Sequence, residues 1–168
     1  MKIIQNFLPK DQFNKIKDIL TDEKFPYYYQ NSMLDERIEK YKDNDYYFCH
    51  ILYDEINKKQ NSENIIIKQV LMPILDKLKA TKIVRAKINL YTKTGKQVHS
   101  AYHIDQNDEH TKVAIYSLNT NNGYTKMKTG EIGKSIENSL IMFNANEYHK
   151  AVTQTDTKIR INININYS

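Results

Sequence analysis

Five histidines occur in this chain of 168 residues, His50, His99, His103, His110 and His149, and metal binding or catalysis needs several of them in one place. His103-Ile104-Asp105 is a His-x-Asp. On an extended strand the side chains at i and i+2 leave the same face, so this imidazole and carboxylate can hold one metal ion from neighbouring positions. The tripeptide alone is a weak signal, and a third ligand is needed to raise it. His149 follows Asp105 by 44 residues, beyond two candidate strands and just ahead of another. In an antiparallel barrel that separation returns the chain to the strand beside His103. Two neutral imidazoles and one carboxylate on one face are the ligand set of the non-haem Fe(II) facial triad, which leaves positions open for a cosubstrate and O2. Zinc in a hydrolase is the competing use of the same side chains. Arg160, 11 residues after His149, discriminates between the two. A guanidinium grips a carboxylate through two parallel charge-assisted hydrogen bonds and suits a metal-chelated dicarboxylate such as 2-oxoglutarate. A structural ion pair is the alternative role for Arg160.

The elements that must position these groups are clearest towards the carboxy-terminal end. Ile159, Ile161, Ile163 and Ile165 alternate with Arg160, Asn162, Asn164 and Asn166, which predicts a strand over 158–167 with one dry face and one hydrogen-bonding face. Three amides and a guanidinium fit the wall of a polar cavity; a solvent-facing surface is the other reading. Further strands are predicted over 83–91, 112–118 and 139–143, with turns at Thr94-Gly95, at 119–123 and at Lys128-Thr129-Gly130. Nearer the amino terminus, Phe13, Ile16, Ile19 and Leu20 recur at helical spacing between Pro9 and Phe25-Pro26. Ile67, Leu71, Ile74, Leu75 and Leu78 make one apolar face of a second helix over 63–78, which Pro73 should kink. Residues 27–64 show no sustained period and read either as a substrate-facing lid or as a covering layer of loops and short helices. Helices first and an antiparallel sheet second predict an α+β domain or a helix-backed barrel.

Composition bounds the rest. With 40% hydrophobic residues the chain can bury one core of ordinary size. No apolar run approaches the roughly 20 residues of a membrane span, and the first residues lack the apolar segment of a secretory signal, so a soluble, cytoplasmic protein is expected. Cys49 is the only cysteine, which leaves neither a disulfide framework nor a Cys-based zinc site. The net charge of +5 rests on 22 Lys and only 3 Arg (Arg37, Arg85 and Arg160), spread among 20 acids without a basic stripe. It nominates no partner. Four glycines make a phosphate-cradling loop improbable.

From about residue 85 to 167 the chain resembles the Fe(II)- and 2-oxoglutarate-dependent oxygenases of the prolyl 4-hydroxylase type, especially their small bacteriophage versions. The likeness is carried by Asn89-Leu90-Tyr91, His103-Ile104-Asp105, the run 116–125 that opens on Tyr116-Ser117 and ends on Gly123-Tyr124-Thr125, the run 138–143, His149, and Arg160-Ile161-Asn162-Ile163-Asn164. Asn6-Phe7-Leu8-Pro9 and Phe25-Pro26-Tyr27 resemble the family's opening segment. The resemblance implies a double-stranded β-helix, a jelly-roll or cupin-like barrel, backed by amino-terminal helices. It would form a single domain over 1–168, with 1–80 as mainly helical support and candidate lid and 81–168 as barrel core.

The same resemblance implies that His103, Asp105 and His149 bind Fe(II) and form the catalytic centre. Arg160 would bind the distal carboxylate of 2-oxoglutarate, with Tyr91, Ser117, Asn162 and Asn164 as further cosubstrate contacts. Ser117 stands where relatives often carry a tyrosine, and Asn162 and Asn164 where they carry small or hydroxyl residues. His99, four residues before His103, is expected beside the site as a substrate or supporting residue; Cys49, His50 and His110 are expected to be structural or exposed. The implied reaction consumes O2 and 2-oxoglutarate, hydroxylates a C–H bond and releases succinate and CO2. Its substrate would be a peptidyl prolyl residue, or another peptide, protein or small molecule. A nucleic-acid-directed oxygenase, with Tyr27, Tyr28 and Tyr29 as a stacking platform, and a non-catalytic cupin-like metal-binding barrel are the alternatives. For a phage-encoded chain the compartment would be the host cytoplasm.

Overall fold

The computed structural model describes residues 1–31, 46–60 and 62–168. In chain order its elements are β1 (Lys2–Ile4), α1 (Lys10–Thr21), β2 (Tyr28–Gln30), β3 (Tyr47–Asp54), α2 (Asn64–Ile66), a π-helical turn (Ile67–Leu71), α3 (Met72–Leu78), β4 (Ile83–Thr92), β5 (Lys112–Ser117), β6 (Tyr124–Met127), β7 (Ile132–Lys134), β8 (Ser139–Asn144), β9 (His149–Val152) and β10 (Ile159–Tyr167). They form a seven-stranded sheet in the order β1-β8-β5-β10-β4-β3-β2 and a three-stranded sheet in the order β7-β6-β9. Every strand pair is antiparallel.

The alternating strand β10 lies at the centre of the large sheet, between β5 and β4. Ile161, Ile163 and Ile165 turn to one side and join a core with Ala86, Ile88 and Tyr116, Phe13, Ile16 and Leu20 of α1, and Val70, Leu71 and Ile74 of the second helical stretch. Burial of each such isoleucine contributes about 1.5–3 kcal/mol. A slip of one residue would send all three to the opposite face, so this core fixes the register of β10 and with it the positions of Arg160 and the asparagines. Ile159, counted with the dry face in the sequence, is 37% exposed at the strand's start. A smaller cluster of Val113, Ile115, Ile141 and Phe143 with Met127 joins the large sheet to the small one.

The helix α1 begins directly after Pro9, as its spacing predicts, and ends when Asp22 turns extended, short of Phe25-Pro26. The second helix differs from a simple kinked rod. Pro73 has no N–H to donate, and the turn just before it widens so that Met72 N–H reaches back five residues to Ile67 O. A π turn thus absorbs the irregularity.

Six strands were not foreseen: β1, β2, β3, β6, β7 and β9. Two of them, β2 and β3, lie within 27–64, where loops and short helices or a lid were expected. The strand β3 hides its period because Tyr47, Cys49 and Ile51 on one face alternate with Phe48, His50 and Leu52 on the other, leaving no polar–apolar contrast. Residues 32–45, which hold Arg37 and much of the expected lid, lie outside the described residues. Among the described residues no helix is long and apolar enough to cross a membrane.

Candidate metal and carboxylate site

Cross-strand register lays the polar face of β10 out in rows. Arg160 is opposite Tyr91; Asn162 is opposite Asn89 on one side and Ser117 on the other; Asn164 is opposite Lys87 and Ile115; Asn166 is opposite Arg85 and Val113. Directly opposed residues of an antiparallel pair project to the same face. A cavity opens between this face and the small sheet, lined on one side by Tyr91, Arg160, Asn162 and Asn164 and on the other by Thr125, His149 and Ala151.

His103 and His149 meet in an isolated antiparallel bridge at the cavity's edge, with ring centroids 4.4 Å apart. The expectation that His103 and Asp105 share a regular strand is not met: His103 is held by this single bridge, and Asp105 lies in a bend whose N–H donates to Ala145 O at 2.9 Å. The two side chains nevertheless converge. Each imidazole approaches a backbone carbonyl through Nδ1, His149 to Glu147 O at 3.0 Å and His103 to Ala101 O at 3.3 Å. A carbonyl only accepts, so Nδ1 carries the proton in both rings and each Nε2 lone pair is free. Those Nε2 atoms lie 3.6 Å (His103) and 3.8 Å (His149) from Asp105 Oδ1, and one ligand atom from each of the three residues falls within 4.8 Å of the others.

The protonation states suit a metal. Burial alone would raise the Asp105 carboxyl, but His149, Arg85 at 3.6 Å, the Asn166 amide at 2.9 Å and His103 outweigh it and hold it down at about 2. Burial and the neighbouring His149 push His103 below the ordinary imidazole range. At neutral pH the site therefore offers a carboxylate and a neutral imidazole without first shedding protons. Asn164 Nδ2 adds a second amide donor to Asp105 Oδ2 at 3.3 Å.

Arg160 is 3% exposed and has no carboxylate partner among the described residues. Its Nη1 donates to Val152 O at 2.7 Å, its Nε has no partner among the described residues, and its guanidinium carbon lies 5.3 Å from the centroid of the Tyr91 ring. Gly123 makes room for it: a Cβ there would stand 3.1 Å from Arg160 Nη1 and 3.0 Å from Val152 O. Further along the wall Asn89 Nδ2 donates to Asn162 Oδ1 at 3.0 Å, while Asn89 Oδ1 and Asn164 Oδ1 are buried without a donor among the described residues.

The structure thus brings His103, Asp105, His149, Tyr91, Arg160, Asn162 and Asn164 together around one cavity. Ser117 is buried in the row of Asn162 but does not reach the cavity wall. His99 turns outward, exposed and edge-on to Tyr124, because the chain between 99 and 103 is not a regular strand; Ser100 lines the cavity instead. Sequence reasoning gave no site role to Tyr47, Lys87 and Asn89 in the wall, and put Asn166 on the polar face of its strand without foreseeing its hydrogen bond to Asp105. The signal for two of them was present: Arg85, Lys87, Asn89 and Tyr91 alternate with Ala86, Ile88 and Leu90, the same period that marks β10.

No family model and no curated protein matches the chain. Solved structures do. A prolyl hydroxylase in complex with a hypoxia inducible factor oxygen degradation domain peptide fragment, from Trichoplax adhaerens, aligns with a TM-score of 0.65 at 16% identity, over 99% of this chain and 82% of that one. An oxidoreductase of the 2OG-Fe(II) oxygenase family from Burkholderia pseudomallei gives 0.66 at 12% identity, over 99% and 84%. A Pseudomonas putida prolyl-4-hydroxylase gives 0.60 at 13% identity, over 99% and 91%. The chain has the fold of these oxygenases, the double-stranded β-helix, with helices packed on the outer face of its large sheet.

Proposed function

We propose that this protein is an Fe(II)- and 2-oxoglutarate-dependent dioxygenase that hydroxylates a substrate C–H bond, a peptidyl prolyl residue being the first candidate. One observation carries the reading: a buried arginine with no anionic partner among the described residues shares a cavity with a converging His-Asp-His set. The donor set of two nitrogens and one carboxylate suits Fe(II) with open positions. The unpartnered Arg160 Nε and Asn89 Oδ1 also fit a bound group, since each buried polar atom left unsatisfied costs about 1–3 kcal/mol.

Fe(II), 2-oxoglutarate and O2 supply the oxidation when bound, so that R–H, O2 and 2-oxoglutarate become R–OH, succinate and CO2. His103, Asp105 and His149 hold the metal, and Asn164 and Asn166 orient the carboxylate of Asp105. Arg160 takes the distal carboxylate of the cosubstrate, pinned for that purpose by Val152 O and the Tyr91 ring. The Tyr91 hydroxyl, in the same row, donates to the cosubstrate, and Asn162 lines its path. Ser117, outside the wall, has no part here. A zinc hydrolase fits less well. Among the described residues lining the cavity both histidines and the only carboxylate are metal ligands, which leaves metal-bound water without a general base.

A screen of succinate release over proline peptides, free amino acids and nucleic acids, with Fe(II), O2 and 2-oxoglutarate supplied, tests the reading. At least one class should stimulate succinate above the level of the His149→Ala variant. Equal background from both proteins with every substrate would argue against it.

A further inference from the structure

Lys87 has no role in that reaction, yet it stands in the cavity wall. It projects from β4 to the same face as Asn89 and Tyr91, half-buried, and makes no ion pair with a carboxylate of the described residues. Among the described residues its close partner is the Tyr47 ring, whose centroid is 5.6 Å from Nζ; that ring stacks in turn on Tyr91 at 5.7 Å. Among the described residues the only carboxylate lining the cavity is Asp105, already faced by Arg85 at 3.6 Å. Among the described residues Lys87 and Arg160 are therefore both uncompensated.

The two cations stand in different rows of the wall. Arg160 is opposite Tyr91, whereas Lys87 is opposite Asn164, the residue that donates to Asp105. Four residues of strand separate the two rows, roughly 13 Å along the backbone at about 3.3 Å per residue. A cosubstrate held between the metal and Arg160 places its distal carboxylate in the row of Arg160, away from the row of Lys87. Burial and the like charge of Arg85 push the Lys87 ammonium below the usual lysine range. An anion beside it would reverse both effects.

We propose that Lys87 binds a carboxylate of the molecule that is hydroxylated, so that the substrate is an acid: a free amino acid, an acidic side chain of a peptide, or a chain terminus. The word substrate rests on the oxygenase reading; the anion site itself does not.

Two measurements test the proposal. The first compares acid and amide forms of each substrate found, such as a peptide with a free and an amidated carboxyl group. Loss of the charge should lower kcat/KM by about 30-fold or more in the parent, the lower end for a truncated charge pair. In Lys87→Met the acid and amide should differ by less than about threefold, and Lys87→Arg should restore part of the preference. A neutral best substrate, a phosphate-bearing one, or full discrimination in Lys87→Met overturns the proposal, as does loss of 2-oxoglutarate affinity in that variant. The second needs no turnover. After reductive methylation with 13C, the Lys87 resonance, identified by its absence in Lys87→Arg, should shift saturably with acetate, not with acetamide, and still do so with N-oxalylglycine bound. No saturable shift also overturns it. A shift with acetate in a protein that never binds 2-oxoglutarate would keep the anion site and reject the oxygenase.

Discussion

His103 and His149 donate their backbone N–H groups to each other's carbonyl oxygens, at 2.9 and 3.0 Å, which brings together two imidazoles 46 residues apart in the chain. The third member of the set is placed differently. Asp105 hangs in a bend and is aimed by Asn164 and Asn166, so the candidate metal site is assembled by β10 as much as by the segment that bears His103 and Asp105.

Metal affinity should therefore depend on a residue that touches no metal. Asn166 is fully buried and donates to Asp105 Oδ2 at 2.9 Å. Asn166→Leu should weaken Fe(II) binding by about 10- to 100-fold, the usual effect of removing a partner of a ligating carboxylate. Competition against a chelator, with circular dichroism to check folding, measures this. An unchanged metal affinity in a folded variant would mean that Asp105 holds itself in place.

Arg160→Ala should leave metal binding intact and weaken 2-oxoglutarate. Truncating one member of a buried charge pair costs about 2–5 kcal/mol, on the order of 30-fold to several thousand-fold in Kd. Arg160→Lys should recover only part, because the ammonium keeps the charge and loses the planar fork. Calorimetric titration of the metal-loaded variants separates these outcomes.

Gly123→Ala tests the same guanidinium from behind. The added methyl would stand 2.9 Å from Asn121 Oδ1, 3.0 Å from Val152 O and 3.1 Å from Arg160 Nη1, and of these the backbone oxygen is the least able to yield. Arg160 should shift, and 2-oxoglutarate affinity should fall by about tenfold while metal affinity holds. Equal affinity for 2-oxoglutarate would show that the loop relaxes instead.

The parts of this arrangement that could be read from the chain are those where one face is polar and the other is not. In β10 the contrast between Ile161, Ile163, Ile165 and Arg160, Asn162, Asn164 announced both a core and a wall. The strand β4 carried the same contrast from Arg85 to Tyr91, and its Lys87 and Asn89 were within reach of the same reasoning. Tyr47 was not, because β3 has apolar side chains on both faces. Nor was the outward turn of His99, which depends on an irregular segment that pairs through isolated bridges at His99 and His103 in place of a continuous ladder.

His50, set aside in the sequence as structural or exposed, should make a pH-dependent contribution to stability. It is buried, with Nδ1–H donating to Pro26 O at 2.8 Å and Nε2 accepting from Ser62 Oγ at 2.6 Å. Burial holds its pKa below the ordinary imidazole value of 6.5. The unfolded chain therefore takes the proton first, and stability should fall as pH drops below 6.5. His50→Gln should lower stability at about pH 7.5 and make the loss between about pH 7 and 5 shallower, as read from urea midpoints. An equally steep loss in the variant would place the titrating group elsewhere.

The most direct test of the oxygenase reading is anaerobic titration of the Fe(II)-loaded protein with 2-oxoglutarate, followed in the visible range. A chelate on the site of His103, Asp105 and His149 should give a weak charge-transfer band that saturates at one equivalent per chain, disappears in His149→Ala and needs far more 2-oxoglutarate in Arg160→Ala. Bound iron that shows no band with 2-oxoglutarate, or a band that survives alanine at His103, Asp105 and His149 alike, would contradict the account.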